Sequence, residues 1–318
     1  MVSSAVYSLL SKKENAHEDA IYCGAWTKVT ETGDPKDPGK DYIVTGGLDC
    51  LVKVWTLDNN KLGLLHTLKR HHMAVVSIAV SPDGHTIASA SLDSNIMIWE
   101  LTTGFAVHKI ETKATDVWNL AFSPDGTQLA TGGFTGKVVI YGIEKAIVQR
   151  TLDTRGKFGM SVAWSPNGMN LAIGAVDGLV YIFDVAQGKL VHTVTAHKDS
   201  VRSLSFSPNS KFLATASSDG NLKVYNAMSA TLQSTLEHKS WVLACGFSRD
   251  VTRVASATGD GCVRISRLPE LNVLHAFHEH TDSVCSVQFN SSGSKLVSVS
   301  KDKSINIYEC PIPKAEKK

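Results

Sequence analysis

Residues 201–226 read VRSLSFSPNSKFLATASSDGNLKVYN, and this stretch decides the fold. Val201 to Phe206 reads as a strand. Ser207-Pro208-Asn209-Ser210 is a turn: proline fixes φ and small polar residues close it. Lys211 to Ala216 is a second strand. Ser217-Ser218-Asp219-Gly220 is a tight turn, since Asp-Gly is a strong hairpin signal. Asn221 to Asn226 is a third strand and Leu232 to Leu236 a fourth. The first turn returns as Ser81-Pro82-Asp83-Gly84, Ser123-Pro124-Asp125-Gly126 and Ser165-Pro166-Asn167-Gly168.

The unit occurs seven times. Six residues after the acidic turn position comes a slot that is usually aromatic. The pairs are Asp49 and Trp55, Asp93 and Trp99, Thr135 and Tyr141, Asp177 and Phe183, Asp219 and Tyr225, Asp260 and Ser266, Asp302 and Tyr308. Successive turn positions lie 44, 42, 42, 42, 41 and 42 residues apart. Such a period means a repeat architecture. Four strands per unit, with turns every 8 to 12 residues, is one β-propeller blade. The expected fold is all-β: one seven-bladed propeller over residues 1–311, followed by a basic tail, 312–318. The blade units fall near 12–68, 69–110, 111–152, 153–194, 195–236, 237–277 and 278–310. The seventh unit lacks room for its fourth strand. Residues 5–11 supply one, so the N-terminal strand is expected to close the last blade and remove an open edge.

A position nine residues into each unit should fill the core between blades: Trp26, Val80, Phe122, Trp164, Phe206, Phe247 and Phe289, all apolar. Residues 28–41 form a polar insertion in blade one, expected as a mobile loop on the bottom face.

Composition narrows the function classes. A net charge of +2 on 318 residues is too balanced for a nucleic-acid surface. The six cysteines are never closer than 17 residues, so no C-x-x-C motif exists. Met1 to Ala5 shows no signal-peptide pattern, and no stretch is apolar enough to span a bilayer. An intracellular chain without a membrane role is expected.

These residues resemble the WD-repeat family. Its unit has a His at the start, a Ser or Thr in the second strand, an Asp in the tight turn and a Trp ending the third strand. Here the sets are His17, Thr45, Asp49 and Trp55; His71, Ser89, Asp93 and Trp99; His197, Thr215, Asp219 and Tyr225; His238, Ser256, Asp260 and Ser266; His280, Ser298, Asp302 and Tyr308. Unit three has Lys113 and Thr135 in place of His and Asp. Unit four has Arg155 and Ile173 in place of His and Ser/Thr.

A His, a Ser and an Asp together suggest a catalytic triad. Five copies on one small protein point instead to hydrogen bonds that satisfy buried groups within each blade. No enzyme, metal or cofactor is expected. His71-His72 point to opposite faces of a strand, and His280 of the His278-Glu279-His280 segment is already used. Gly46-Gly47 and Gly132-Gly133 precede turns rather than helices, so they are not phosphate loops.

Trp118 and Trp241 lie outside the repeat register. Both fall where a first strand begins. There the apolar positions are spaced three apart (Val75 and Ile78, Val117 and Leu120, Val201 and Leu204), which implies a bulge. A bulge aims Tyr22, Val76, Trp118, Met160, Arg202, Leu243 and Cys285 at the channel rim. The residues before the turn position, Leu48, Leu92, Phe134, Val176, Ser218, Gly259 and Lys301, should reach the same face. The expected partner site is therefore an apolar arc over blades one to four: Tyr22, Leu48, Leu92, Trp118, Phe134, Phe158, Met160 and Val176, with Arg202 and Trp241 beside it.

Within the family, Leu152 to Phe158, Ala16 to Ile21 and Ile307 to Ile312 resemble the animal WD-repeat subunits shared by the superkiller (Ski) complex and the RNA polymerase II-associated Paf complex. That resemblance implies a non-catalytic scaffold in exosome-linked mRNA decay and in transcription elongation. Its partners would be the helical-repeat scaffold subunit and RNA helicase of the Ski complex and subunits of the Paf complex, in cytoplasm and nucleus. The alternative is a ubiquitin-ligase substrate receptor or another WD-repeat adaptor. The receptor role usually needs an Arg two residues after a Trp-Asp pair. Trp55 is followed by Thr-Leu-Asp and Trp99 by Glu-Leu-Thr.

Overall fold

A computed structural model describes residues 6–30, 38–112 and 117–312. Its elements are 28 strands in seven four-stranded antiparallel sheets. Blade five shows how the residues make the unit. Its strands are Val201–Phe206, Phe212–Ser217, Asn221–Asn226 and Leu232–Glu237. The second strand is almost wholly buried while the fourth is mostly exposed, so each blade runs from a buried interior to a wet edge. The tight turns need a left-handed residue. Gly178 has φ +82°, and a β-carbon there would overlap the His197 carbonyl oxygen.

The ring closes as expected, with shifted boundaries. Ser8–Lys13 pairs antiparallel with Ile305–Glu309, so the seventh blade takes its outer strand from the N-terminus. The pairing reaches two residues further than 5–11, to Lys13. Blade one also differs from expectation: its first two strands are Ile21–Val29 and Lys40–Gly47. Lys28, Val29, Lys40 and Asp41 are thus strand residues, and Asp41 accepts the Trp26 indole N–H at 2.9 Å. The remainder of that insertion, 31–37, and the tail from 313 lie outside the described residues, as does Lys113.

Apolar side chains fill the seams between blades. Trp26, Ile43 and Trp55 of blade one pack with Val297, Val299, Ile305 and Ile307 of blade seven. Of the seven inter-blade positions, all but Val80 are buried; Val80 is half-buried against the blade-one core. The inner circumference is also stitched by polar bonds. Gln288 Oε1 accepts the Trp26 N–H at 2.8 Å, Ser77 Oγ accepts the Leu120 N–H at 3.0 Å, and Asn119 Oδ1 accepts the Val162 N–H at 3.0 Å.

Arg253 is fully buried beside the closure. Its Nη1 donates to the carbonyls of Cys310 (3.0 Å) and Pro311 (2.9 Å), and its Nη2 to that of Gly293 (2.8 Å). Next to it, the Tyr7 ring stacks on His275 with centroids 5.3 Å apart. Tyr7, Cys310 and Pro311 are therefore held against blade six.

Candidate functional site: the top mouth of the channel

The sequence implies a bulge at the start of each first strand, and the register shows one in every blade but the third. Pairing shifts between Ile21 and Cys23, Val75 and Ser77, Gly159 and Ser161, Val201 and Ser203, Val242 and Ala244, and Val284 and Ser286. The extra residue in each is freed from the two-residue alternation. Tyr22, Val76, Met160, Arg202, Leu243 and Cys285 occupy these positions. Trp118 takes the same place just before Asn119–Phe122, its N–H bonded to Gly132 O at 2.7 Å. One side chain from every blade therefore lines a single funnel of about 410 Å³.

Leu48, Leu92, Trp241 and Lys301 stand on the funnel wall. Phe134, Phe158 and Val176 lie outside it. Phe158 joins them to it: its ring meets Trp118 edge-on at 5.8 Å and Phe134 at 5.3 Å. Phe134 is 63% exposed, Trp241 58% and Trp118 37%; Leu48, Leu92, Val176 and Tyr22 are also exposed. Phe158 and Arg202 are half-buried. Met160 departs from expectation. It lines the funnel but is only 6% exposed, because Gly159–Trp164 is buried along its whole length. It forms floor, not contact surface.

The funnel's electrostatics are one-sided. Arg202 Nε donates to Ser218 Oγ at 2.7 Å, and the Lys301 ammonium lies 5.6 Å over the Tyr22 ring. No Asp or Glu lines the funnel among the described residues. Burial pushes the Cys285 thiol up to about 11, so it is protonated and a poor nucleophile at neutral pH. Lys301 was visible in sequence as the residue before Asp302, but only the fold sets its charge over Tyr22.

The His, Ser/Thr and Asp sets are internal. In blade one the Trp55 indole donates to Thr45 Oγ1 at 2.9 Å. That oxygen meets His17 Nε2 at 2.8 Å, and His17 Nδ1 meets Asp49 at 2.9 Å. The same chain runs through Trp99, Ser89, His71 and Asp93. His197 bridges Thr215 and Asp219, and His280 bridges Ser298 and Asp302. Each hydroxyl is fully buried, where no substrate reaches it. Tyr225 differs from the Trp residues: its hydroxyl donates to Ala196 O at 3.2 Å rather than to Thr215.

Blade six corrects one expectation: His238 and Asp260 are not partners. His238 Nε2 meets Ser256 Oγ at 2.9 Å, but Nδ1 turns to the Leu236 carbonyl at 3.2 Å. Asp260 instead accepts the Thr258 hydroxyl at 2.5 Å. The buried Ser266, in the aromatic slot, leaves its hydroxyl without a partner among the described residues. With no indole to anchor the hydroxyl from behind, the relay is broken at both ends. Blades three and four lack the relay. There Thr131 Oγ1 donates to Val139 O at 3.4 Å, and Asp177 pairs with Lys157 at 3.4 Å on the surface.

A seven-sheet ring carrying these relays matches known proteins. Residues 36–309 match the family described as IFT122 first beta-propeller, and residues 9–56 match the WD domain, G-beta repeat.

The chain belongs to the WD-repeat β-propeller family.

This WD-repeat chain is 35% identical over 113 residues to the WD repeat-containing protein SL1-17 of Schistosoma mansoni, covering 36% of each. It is 34% identical over 109 residues to the WD repeat-containing protein VIP3 of Arabidopsis thaliana, covering 34% of this chain and 32% of that one. A 78-residue stretch is 40% identical to the small ribosomal subunit protein RACK1y of Oryza sativa subsp. japonica, covering 24% of this chain and 23% of that one. The chain thus spans about a third of the length of the first two curated relatives. Neither family description names an enzyme. No helix is long and apolar enough to cross a membrane, and no His, Cys, Asp and Glu group could hold a metal among the described residues.

Proposed function

We propose that this WD-repeat propeller is an interaction platform whose top mouth receives a short segment of a partner protein. One observation carries the reading: Trp118, Phe134 and Phe158 form an aromatic group beside a funnel holding Arg202 and Lys301 and, among the described residues, no carboxylate. Aromatic anchors around a preformed hollow suit an apolar side chain. The two cations suit an acidic or polar residue close to it. A rigid ring binds with little ordering entropy of its own.

For the assembly, the preferred reading is the subunit shared by the Ski and Paf complexes, acting in cytoplasm and nucleus. Its support is the three segments quoted above, above all the irregular Leu152 to Phe158, which contains Phe158 of the aromatic group. Affinity purification from nuclear and cytoplasmic extracts, read by mass spectrometry, tests it. Recovery of an RNA-helicase assembly and a polymerase-associated one is expected. Recovery of neither refutes the assignment and leaves the platform standing.

A further inference from the structure

The opposite mouth of the channel holds a second hollow, of about 640 Å³. It shares Cys245 and Val287 with the top funnel, so these two residues lie between the hollows. Its walls are the far ends of the first strands and the turns that follow them, including Pro82, Pro208 and Asn290.

Like the top funnel, this hollow carries two cations. Two exposed cations, Lys28 and Arg249, stand on it, and no Asp or Glu lines it among the described residues. Among the described residues, the carboxylates of the flanking segments accept hydrogen bonds elsewhere. Asp41 takes the Trp26 indole N–H at 2.9 Å. Asp83 takes the Ser81 hydroxyl and the His85 N–H. Asp250 takes the Ser248 hydroxyl and the Thr252 N–H, and faces Arg253. Ser205 and Ser291 add hydroxyls to the lining, and Asn290 an amide whose Oδ1 is already held by the Lys295 N–H at 3.0 Å. That leaves the amide N–H groups as donors.

Two cations in a walled, polar hollow whose described lining holds no carboxylate favour an anion there. The volume suits a small molecule. A floor at Cys245, Gly246 and Val287 favours a compact ligand over an extended chain. We propose that the bottom mouth binds a compact polyvalent phosphate anion, with Lys28 and Arg249 making charge-assisted hydrogen bonds to its oxygens. The Arg249 fork matches two phosphate oxygens at once.

The test is calorimetric titration of the full chain with inorganic tripolyphosphate. One saturable site per chain is expected. The double variant Lys28→Gln/Arg249→Gln should weaken it by about tenfold or more, and each single variant by less. Both side chains are exposed, so melting temperatures should hold. The top-mouth pair Arg202→Gln/Lys301→Gln should bind as tightly as the parent. Failure to bind, undiminished binding by the bottom double variant, or loss confined to the top pair would each overturn the proposal. Cosedimentation with vesicles of phosphatidylcholine and phosphatidylinositol 4-phosphate separates the sources of the anion. Retention that Lys28→Gln/Arg249→Gln abolishes assigns a lipid headgroup, and titration without retention assigns a free anion.

Discussion

The Trp118 indole meets the Phe158 ring edge-on, with centroids 5.8 Å apart and planes at 84°. The two residues come from blades three and four, which lack the histidine relay. Phe158 follows the Thr154-Arg155-Gly156-Lys157 turn that stands where other blades begin with His. That turn is closed by Thr154, whose hydroxyl donates to Gly136 O at 2.5 Å. Loss of the relay and gain of an aromatic contact therefore occupy the same place. An edge-to-face pair contributes about 0.5–1.5 kcal/mol beyond its buried area. Phe158→Ala should lower stability by about 1–2 kcal/mol in urea unfolding. An unchanged midpoint would mean that the rings do not support each other.

Ring closure predicts a larger effect. Deleting residues 1–11 removes Ser8, Leu9 and Ser11 from their pairing with Glu309, Tyr308 and Ile307. It also removes Tyr7 from His275. The exposed edge and lost seam should lower the melting temperature sharply. A melting curve superimposable on that of the full chain would contradict this closure.

Arg253 should matter from the other side of the same seam. Three backbone carbonyls depend on its guanidinium. Arg253→Met keeps the bulk and removes the donors, and should cost about 2–4 kcal/mol by chemical denaturation. A cost under about 0.5 kcal/mol, the level of an ordinary surface change, would refute the clasp.

The uneven relays predict uneven costs. Asp302 accepts bonds from His280, the Thr281 N–H, the Ser304 N–H and the Ser304 hydroxyl. Burial resists its ionisation, yet these bonds outweigh burial and hold its carboxyl well below the usual range. Asp260 has no histidine partner. Asp302→Ala should therefore cost about 2 kcal/mol more than Asp260→Ala in paired unfolding experiments. Equal costs would show that the histidine bond adds nothing.

Acid sensitivity follows from His238. Burial, and then the Arg264 charge, push its imidazole down to about 4. The unfolded residue titrates near about 6.5. Between these values the unfolded chain takes up a proton that the folded chain refuses. This contribution is full above about pH 6.5 and falls as pH drops toward 4, by at most about 1.4 kcal/mol per pH unit. Burial lowers His71 and His197 in the same direction. Melting temperature should decline from pH 7 to pH 4.5, and His238→Gln should flatten that slope. An identical slope in the variant would assign the acid sensitivity elsewhere.

Much of this is legible in the chain because the repeat supplies its own alignment. The three-residue spacing of Val201 and Leu204 announces the bulge that places Arg202, and the surplus of Trp118 over the register marks the rim. Other features depend on contacts that no local pattern encodes. Arg253 reads as an ordinary first residue of a strand, since its partners Cys310 and Pro311 lie 57 and 58 residues away. Met160 sits at the same repeat position as Tyr22 but in a strand buried along its length. His238 keeps the consensus residue and the consensus spacing to Asp260. What it lacks is the indole that Ser266 replaces, two strands of the same blade away from it.

The central claim is that the aromatic arc of blades three and four, not the ring as a whole, holds the partner. The direct test compares the full chain with Trp118→Ala/Phe134→Ala in parallel purifications from one extract, with proteins quantified by mass spectrometry and folding checked by melting temperature. The account predicts loss of the helicase-containing or polymerase-associated assembly from the variant, with a melting temperature near that of the parent. Full retention of the same partners by a folded variant would contradict it.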